Sequence, residues 1–171
     1  MTMSEIKNSI VEQETPKLLY IVRIRGAPGM RKKLLDTLKM FRLHKVNHSI
    51  LVFPNKSYTG MLQKVKDYVC YGEINKKMLL KLLRNRAYIE GNEPLTESHI
   101  KFKTKYKTLN ALATGLLKGE IQYKDIYKIK PIFRMHPPRG GYRGTIKRSY
   151  KAGGSLGYVG DYINILLFKM L

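Results

Sequence analysis

Residues 18–53 read LLYIVRIRGAPGMRKKLLDTLKMFRLHKVNHSILVF, and two different apolar periods follow one another within them. Leu18 to Arg25 is rich in β-branched and aromatic side chains and closes at Gly26, which predicts a strand. Ala27-Pro28-Gly29 makes a turn. From Met30 onward Leu34, Leu35, Leu38 and Phe41 recur at helical spacing, so a helix of about three turns follows. Ser49 to Phe53 is a second strand, stopped by Pro54 and Asn55. A second helix starts near Thr59 with Met61, Leu62 and Val65 on its inner face, and Tyr68 to Ile74 is a third strand. The order is β-α-β-α-β. Two amphipathic helices on one face of a small sheet bury those stripes most economically.

The flanks are less regular. Residues 1–17 are polar, end near Pro16 and read as a flexible extension. After Asn75, a candidate N-cap, Met78, Leu79, Leu82 and Leu83 mark another amphipathic helix. Thr96-Glu97 opens a short helix toward Lys103, and Thr108 caps one from Leu109 to Lys118 that ends at Gly119. Ile129 to Met135 predicts a strand that Pro131 confines to an edge or to its own first residues. Asp161 opens a C-terminal helix through Leu171. The expected units are therefore an extension (1–17), a core (18–74), a helical insertion (75–128) and a strand, basic segment and helix (129–171).

Charge is the outlier in the composition. Against 12 Asp+Glu stand 33 Lys+Arg, a net charge of +21. Segments 18–71, 72–131 and 132–171 each carry a clear positive excess, so it belongs to the whole body and not to a detachable tail. Such self-repulsion is best tolerated beside a polyanion, most commonly nucleic acid. Residues 136–154, HPPRGGYRGTIKRSYKAGG, hold five glycines and five cations without a carboxylate. Glycine permits close backbone approach, and Tyr142 and Tyr150, with Tyr158 just beyond, accompany the cations.

Catalytic classes find no support. Four dispersed histidines and a single cysteine, Cys70, offer neither zinc spacing nor a disulfide. Acidic residues are too scattered for paired-carboxylate or magnesium chemistry. The glycines match neither a Walker loop nor a dinucleotide fingerprint. No cofactor, metal or small-molecule substrate is expected. No signal-peptide pattern opens the sequence and no apolar run could cross a bilayer, so a cytoplasmic protein is expected.

Seven short words run in one order along the chain: IVRIRG (21–26), LKMFRLH (38–44), VNH (46–48), YTGMLQKV (58–65), PLT (94–96), HPPRGG (136–141) and GGSLG (153–157). In this ordered series the chain resembles the large-subunit ribosomal protein thirty family (protein seven in eukaryotes), in its longer archaeal-type form. Tyr71 stands where relatives often carry tryptophan. The resemblance implies an α+β fold with a ferredoxin-like core over residues 18–74, a helical insertion and an extended basic C-terminal segment. It implies structural, non-catalytic binding of 23S-type ribosomal RNA near the 5S RNA, beside neighbouring ribosomal proteins. On that reading residues 136–154 take their shape from RNA.

The residues assigned to phosphate contact are Arg139, Arg143, Lys147, Arg148 and Lys151 in the glycine-rich segment. Arg23, Arg25, Arg31, Lys32, Arg42 and His44 join them from the core. Arginine suits phosphate by its planar, bidentate fork. Arg23 and Arg25 alternate along the first strand and so share a face. Lys64 is added because its helix follows Tyr58-Thr59-Gly60, and helix N-termini attract phosphate. Two other classes remain open on charge alone: an RNA-modifying enzyme, and a membrane-surface protein using Ile163, Leu166, Leu167 and Met170 of the last helix.

Overall fold

A computed structural model describes residues 17–171, so the expectation of a flexible extension over residues 1–17 falls, apart from Lys17, outside the described residues. The described strands are β1 (Leu19–Arg23), β2 (His48–Val52), β3 (Val69–Glu73), β4 (Phe133–Arg134) and β5 (Gly157–Tyr158). They form one sheet in the order β4-β2-β1-β3-β5. The described helices are α1 (Lys32–Met40), α2 (Lys56–Val65), α3 (Lys76–Arg86), α4 (Glu97–Lys103), α5 (Leu109–Lys118) and α6 (Tyr162–Met170). β1 lies antiparallel to both β2 and β3, and β4 is antiparallel to β2. β5 joins β3 in parallel, making the sheet mixed. The fold is α+β with the expected ferredoxin-like β-α-β-α-β core.

Leu19 to Val22 of β1 are buried, as a continuous apolar run without alternation implies, and so is Arg23 at its end. Leu19 and Ile21 pack with Leu38 and Phe41 of the α1 end and with Leu62 and Val65 of α2. Tyr20 and Val22 face the opposite layer, among Leu79 and Leu82 of α3, Leu112 and Leu116 of α5, and Leu166 and Leu167 of α6. The expectation of two core helices on one face thus holds for α1 and α2, while α3, α5 and α6 from the flanking segments cover the other face. Leaving Tyr20 and Val22 in water would forfeit about 1.5–3 kcal/mol for a side chain of this size.

The inward stripe of α6, with Ile163, Leu166, Leu167 and Met170 fully buried, docks on that second face. Its start lies so close to β3 that a Cβ on Gly72 would collide with the Gly160 carbonyl, a contact only glycine permits. Asn164 fastens the same corner: its amide nitrogen donates to Glu73 O at 2.9 Å, and its Oδ1 accepts from the Asn75 N–H at 2.9 Å. Asn75 occupies the N-cap position of α3, but its side chain makes no cap bond.

Elsewhere the local signals shift by a turn or less. α2 starts at Lys56, ahead of Thr59, because Asn55 is its cap: Oδ1 accepts from the Tyr58 N–H at 2.7 Å. α5 is capped by Thr108 and closes at Gly119 (φ 78), as its residues predict. The strand expected over 129–135 shrinks to Phe133–Arg134 while keeping its edge position beside β2.

Residues 136–154 carry a shape of their own, which corrects the expectation that RNA alone supplies it. The His136 and Arg139 N–H groups donate to Met170 O (3.2 Å) and Lys169 O (2.9 Å), satisfying carbonyls that the end of α6 leaves open. Ser155 Oγ donates to Arg143 O at 2.6 Å, and the Tyr150 N–H to Leu156 O at 2.9 Å. A Cβ on Gly144 or Gly154 would collide with the carbonyl of Gly153 or Arg148 respectively. These glycines serve backbone contacts within the segment.

Candidate nucleic-acid interface

The register gathers the basic segments at one end of the sheet, the end where β1 finishes. The Asn47 N–H donates to Arg23 O there, and the Met135 N–H to Asn47 O. The Ile24 and Arg25 N–H groups share Tyr68 O, just before β3. The loop into α1, the connector from α1 to β2, the end of α2 and the start of the basic segment therefore meet at this edge.

Arg23 is the first correction. It is 1% exposed, and its guanidinium points into the α1/α2 layer. Nε donates to Arg25 O at 2.8 Å, while Nη1 donates to Leu43 O at 2.8 Å and His44 O at 2.9 Å. Burial lowers its pKa from the usual arginine value, yet three carbonyls solvate the cation in place of water. Arg23 ties the connector to the sheet and is not free to meet phosphate. Arg25, beyond the strand end, is half-buried: it lies 4.9 Å over the Tyr68 ring and donates to Asp67 O at 3.2 Å.

Lys64 is the second correction. It sits in the last turn of α2, where a cation suits the negative end of the helix, so the helix N-terminus argument does not apply to it. Arg31 and Lys32, with Lys33, are exposed around the start of α1. Arg31 caps nothing with its side chain, and the first turn holds no acidic residue. The fold therefore places cations where the helix dipole disfavours them by about 0.3–1 kcal/mol each at low salt, a sign that an anion reverses. Arg42 and His44 follow on the connector, both exposed, and Arg42 adopts left-handed backbone at φ 58.

In the basic segment Arg139, Arg143, Lys147, Arg148 and Lys151 are all exposed. The Arg143 guanidinium stacks 4.7 Å from the Tyr150 ring. The tyrosines are less free than their spacing suggests: Tyr142 OH donates to Asn47 Oδ1 at 3.0 Å, Tyr150 packs against Tyr162, and Tyr158 OH bonds Glu73. Lys45 and Arg134 extend the basic edge and were not singled out from the sequence. Phe133 turned in and Arg134 turned out is the alternation that identifies the latter.

Electrostatically the region is unbalanced. No carboxylate occurs between Asp125 and Asp161. Among the described residues the ion pairs are Lys39–Asp36 at 3.7 Å and Lys118–Glu120 at 3.9 Å, and neither involves this edge. No group of residues able to hold a metal ion occurs among the described residues. No helix among them is long and apolar enough to cross a membrane. Cations without ion-pair partners among the described residues repel one another, a repulsion best tolerated beside a polyanion.

Fold and surface together define a small basic α+β protein, cationic throughout, with one group of its cations at the sheet end where β1 finishes. The model of the family Ribosomal protein L30p/L7e matches residues 19–69, from β1 to the first residue of β3. The large ribosomal subunit protein uL30 of Methanoculleus marisnigri is 47% identical over 150 residues, covering 88% of this chain and 97% of that protein. Its namesake from Methanococcus vannielii is 49% identical over 152 residues with the same coverages. The chain belongs to the L30p/L7e family of ribosomal proteins, whose members are structural components and not enzymes.

Proposed function

We propose that the chain is a constituent of the large ribosomal subunit in the cytoplasm that binds ribosomal RNA through the end of the sheet where β1 finishes and supports subunit assembly. The unpaired cations of that edge carry this reading. Arg31 and Lys32 offer charge and open helix N–H groups, Arg42 and His44 flank them, and Arg143, Lys147, Arg148 and Lys151 extend the track. Arg25 and Arg139 contribute at its margins. The resemblance in sequence adds 23S-type RNA near the 5S RNA, and neighbouring ribosomal proteins, as the partners.

Binding of the full chain to deproteinised large-subunit RNA is the test. Each neutralised phosphate contributes about −0.7 (single strand) to −0.9 (duplex) to the slope of log K against log salt. Replacing Arg31, Lys32 and Lys33 together with alanine is expected to flatten that slope by one such increment per lost contact. Affinity that does not change between about 50 and 200 mM salt would overturn the reading. In lysate, the chain is expected to sediment with the large subunit at moderate salt.

A further inference from the structure

A second feature lies apart from that edge. Between α3, the start of α5 and the end of α6 opens a cleft of about 580 Å³. Lys81, Arg84, Arg139 and Lys169 line it, against one acidic side chain, Glu97. None of the four cations takes part in an ion pair among the described residues. At its side stands Phe168, 61% exposed and out of phase with the buried stripe of α6. The Lys81 ammonium rests 4.7 Å above that ring.

We infer that this cleft takes an unpaired nucleotide of the bound RNA, an inference that rests on the proposed RNA-binding role. An exposed aromatic face surrounded by cations has the chemistry that holds a splayed nucleotide: the ring stacks on the base and the cations meet the flanking phosphates. The side-chain amides of Asn85 and Asn110, also in the wall, can pair with a base edge. The volume lies within the ordinary range of ligand sites. The end of α6 would repel an anion, but its carbonyls at Lys169 and Met170 already accept the Arg139 and His136 N–H groups. Arg139 belongs to both the cleft and the basic segment, so one RNA strand can run continuously from the sheet end into the cleft. An acidic peptide would satisfy the cations but has no use for the stacking face.

The test places a photoreactive benzoylphenylalanine at position 168 of the full chain and irradiates it in assembled large subunits. An adduct to ribosomal RNA at an unpaired nucleotide is expected, and an adduct to protein, or none, would overturn the inference. With deproteinised large-subunit RNA, Phe168→Ala is expected to weaken binding about 5- to 150-fold with the salt slope unchanged, the scale of one stacked base. Phe168→Tyr should retain affinity. Ile165→Ala, which removes a neighbouring exposed apolar side chain outside the cleft, should change nothing. If the unaltered chain binds RNA in a salt-dependent way while Phe168→Ala binds equally well, the cleft assignment fails alone. If the unaltered chain shows no salt-dependent binding, the RNA-binding role fails and takes the cleft with it.

Discussion

Helices α1 and α5 end in the same hydrogen-bond motif, one with arginine and the other with glycine at the turning residue. At α5 the Gly119 N–H reaches Leu116 O and the Glu120 N–H reaches Gly115 O, with Gly119 at φ 78. At α1 the Arg42 N–H reaches Lys39 O and the Leu43 N–H reaches Leu38 O, with Arg42 at φ 58. Both are Schellman closures, and Leu38 and Leu43 supply the usual apolar contact inside the core. Left-handed backbone costs a residue with a Cβ about 1–2 kcal/mol, which glycine avoids. The end of α5 is closed by its own sequence. The end of α1 is held in a costlier conformation, and the buried Arg23 guanidinium, bonded to Leu43 O and His44 O, helps to hold it.

The comparison breaks most readily at Arg23. Arg23→Met keeps the apolar stem but leaves those carbonyls without their donor, at a cost of about 3 kcal/mol. Urea denaturation should show a lower midpoint, whereas the salt slope of RNA binding by the folded fraction should stay unchanged. A wild-type midpoint would mean that the α1 end needs no such support. Gly119→Ala comes next, at about 1–2 kcal/mol destabilising, because alanine must adopt the left-handed backbone. Its added Cβ would lie 3.4 Å from the Phe53 ring, close enough that packing gives little relief.

Arg42→Gly runs the other way. Relief of the left-handed strain should raise stability by up to about 1 kcal/mol, offset in part by the greater freedom of glycine in the unfolded chain. Arg42 makes neither a hydrogen bond through its side chain nor an ion pair among the described residues, so the fold loses little. RNA affinity should fall in the same variant. Greater stability with weaker binding is the signature of a residue that serves the ligand at the fold's expense. Greater stability with unchanged affinity would leave Arg42 outside the interface.

This pair of helix ends also marks how far the residues alone could be read. Thr108 and Gly119 announce α5, and the leucine spacings of α1 and α2 announce a layer on the sheet, because caps and periods are local properties. The left-handed turn at Arg42 carries no such mark, since no glycine or asparagine stands there. Arg23 and Arg25 alternate correctly in sequence, yet only the connector's return shows that Arg23 is enclosed by carbonyls from 43 and 44. Burial of a cation depends on what packs over it from elsewhere in the chain. The same holds for Phe168: its exposure is evident only once Ile163, Leu166, Leu167 and Met170 are seen to face inward. For Gly144 and Gly154, sequence establishes that the backbone can approach something closely, but not that the something is the segment itself.

The smallest predicted effect separates the two helix ends by pH. His48 begins β2 where the α1 connector rejoins the sheet, half-buried, with Nδ1 enclosed and without a partner among the described residues. Burial first, then Arg134, His44, Lys45 and Arg23 around it, push its pKa below the usual histidine value. In the unfolded chain it titrates near 6.5, so between that value and the lower folded one the unfolded state binds more protons. The contribution is complete above about pH 6.5 and declines as pH falls toward the folded pKa. His48→Gln should flatten the dependence of the urea midpoint on pH across that window, and unchanged slopes would contradict it. RNA weakens the effect: phosphates neutralising Arg134, His44 and Lys45 remove part of the repulsion and leave the burial, so protonation of His48 becomes easier in the complex than in the free protein. Binding should then take up protons and strengthen below about pH 6.5, while the free protein grows less stable. The end of α5, with no histidine, should show neither trend.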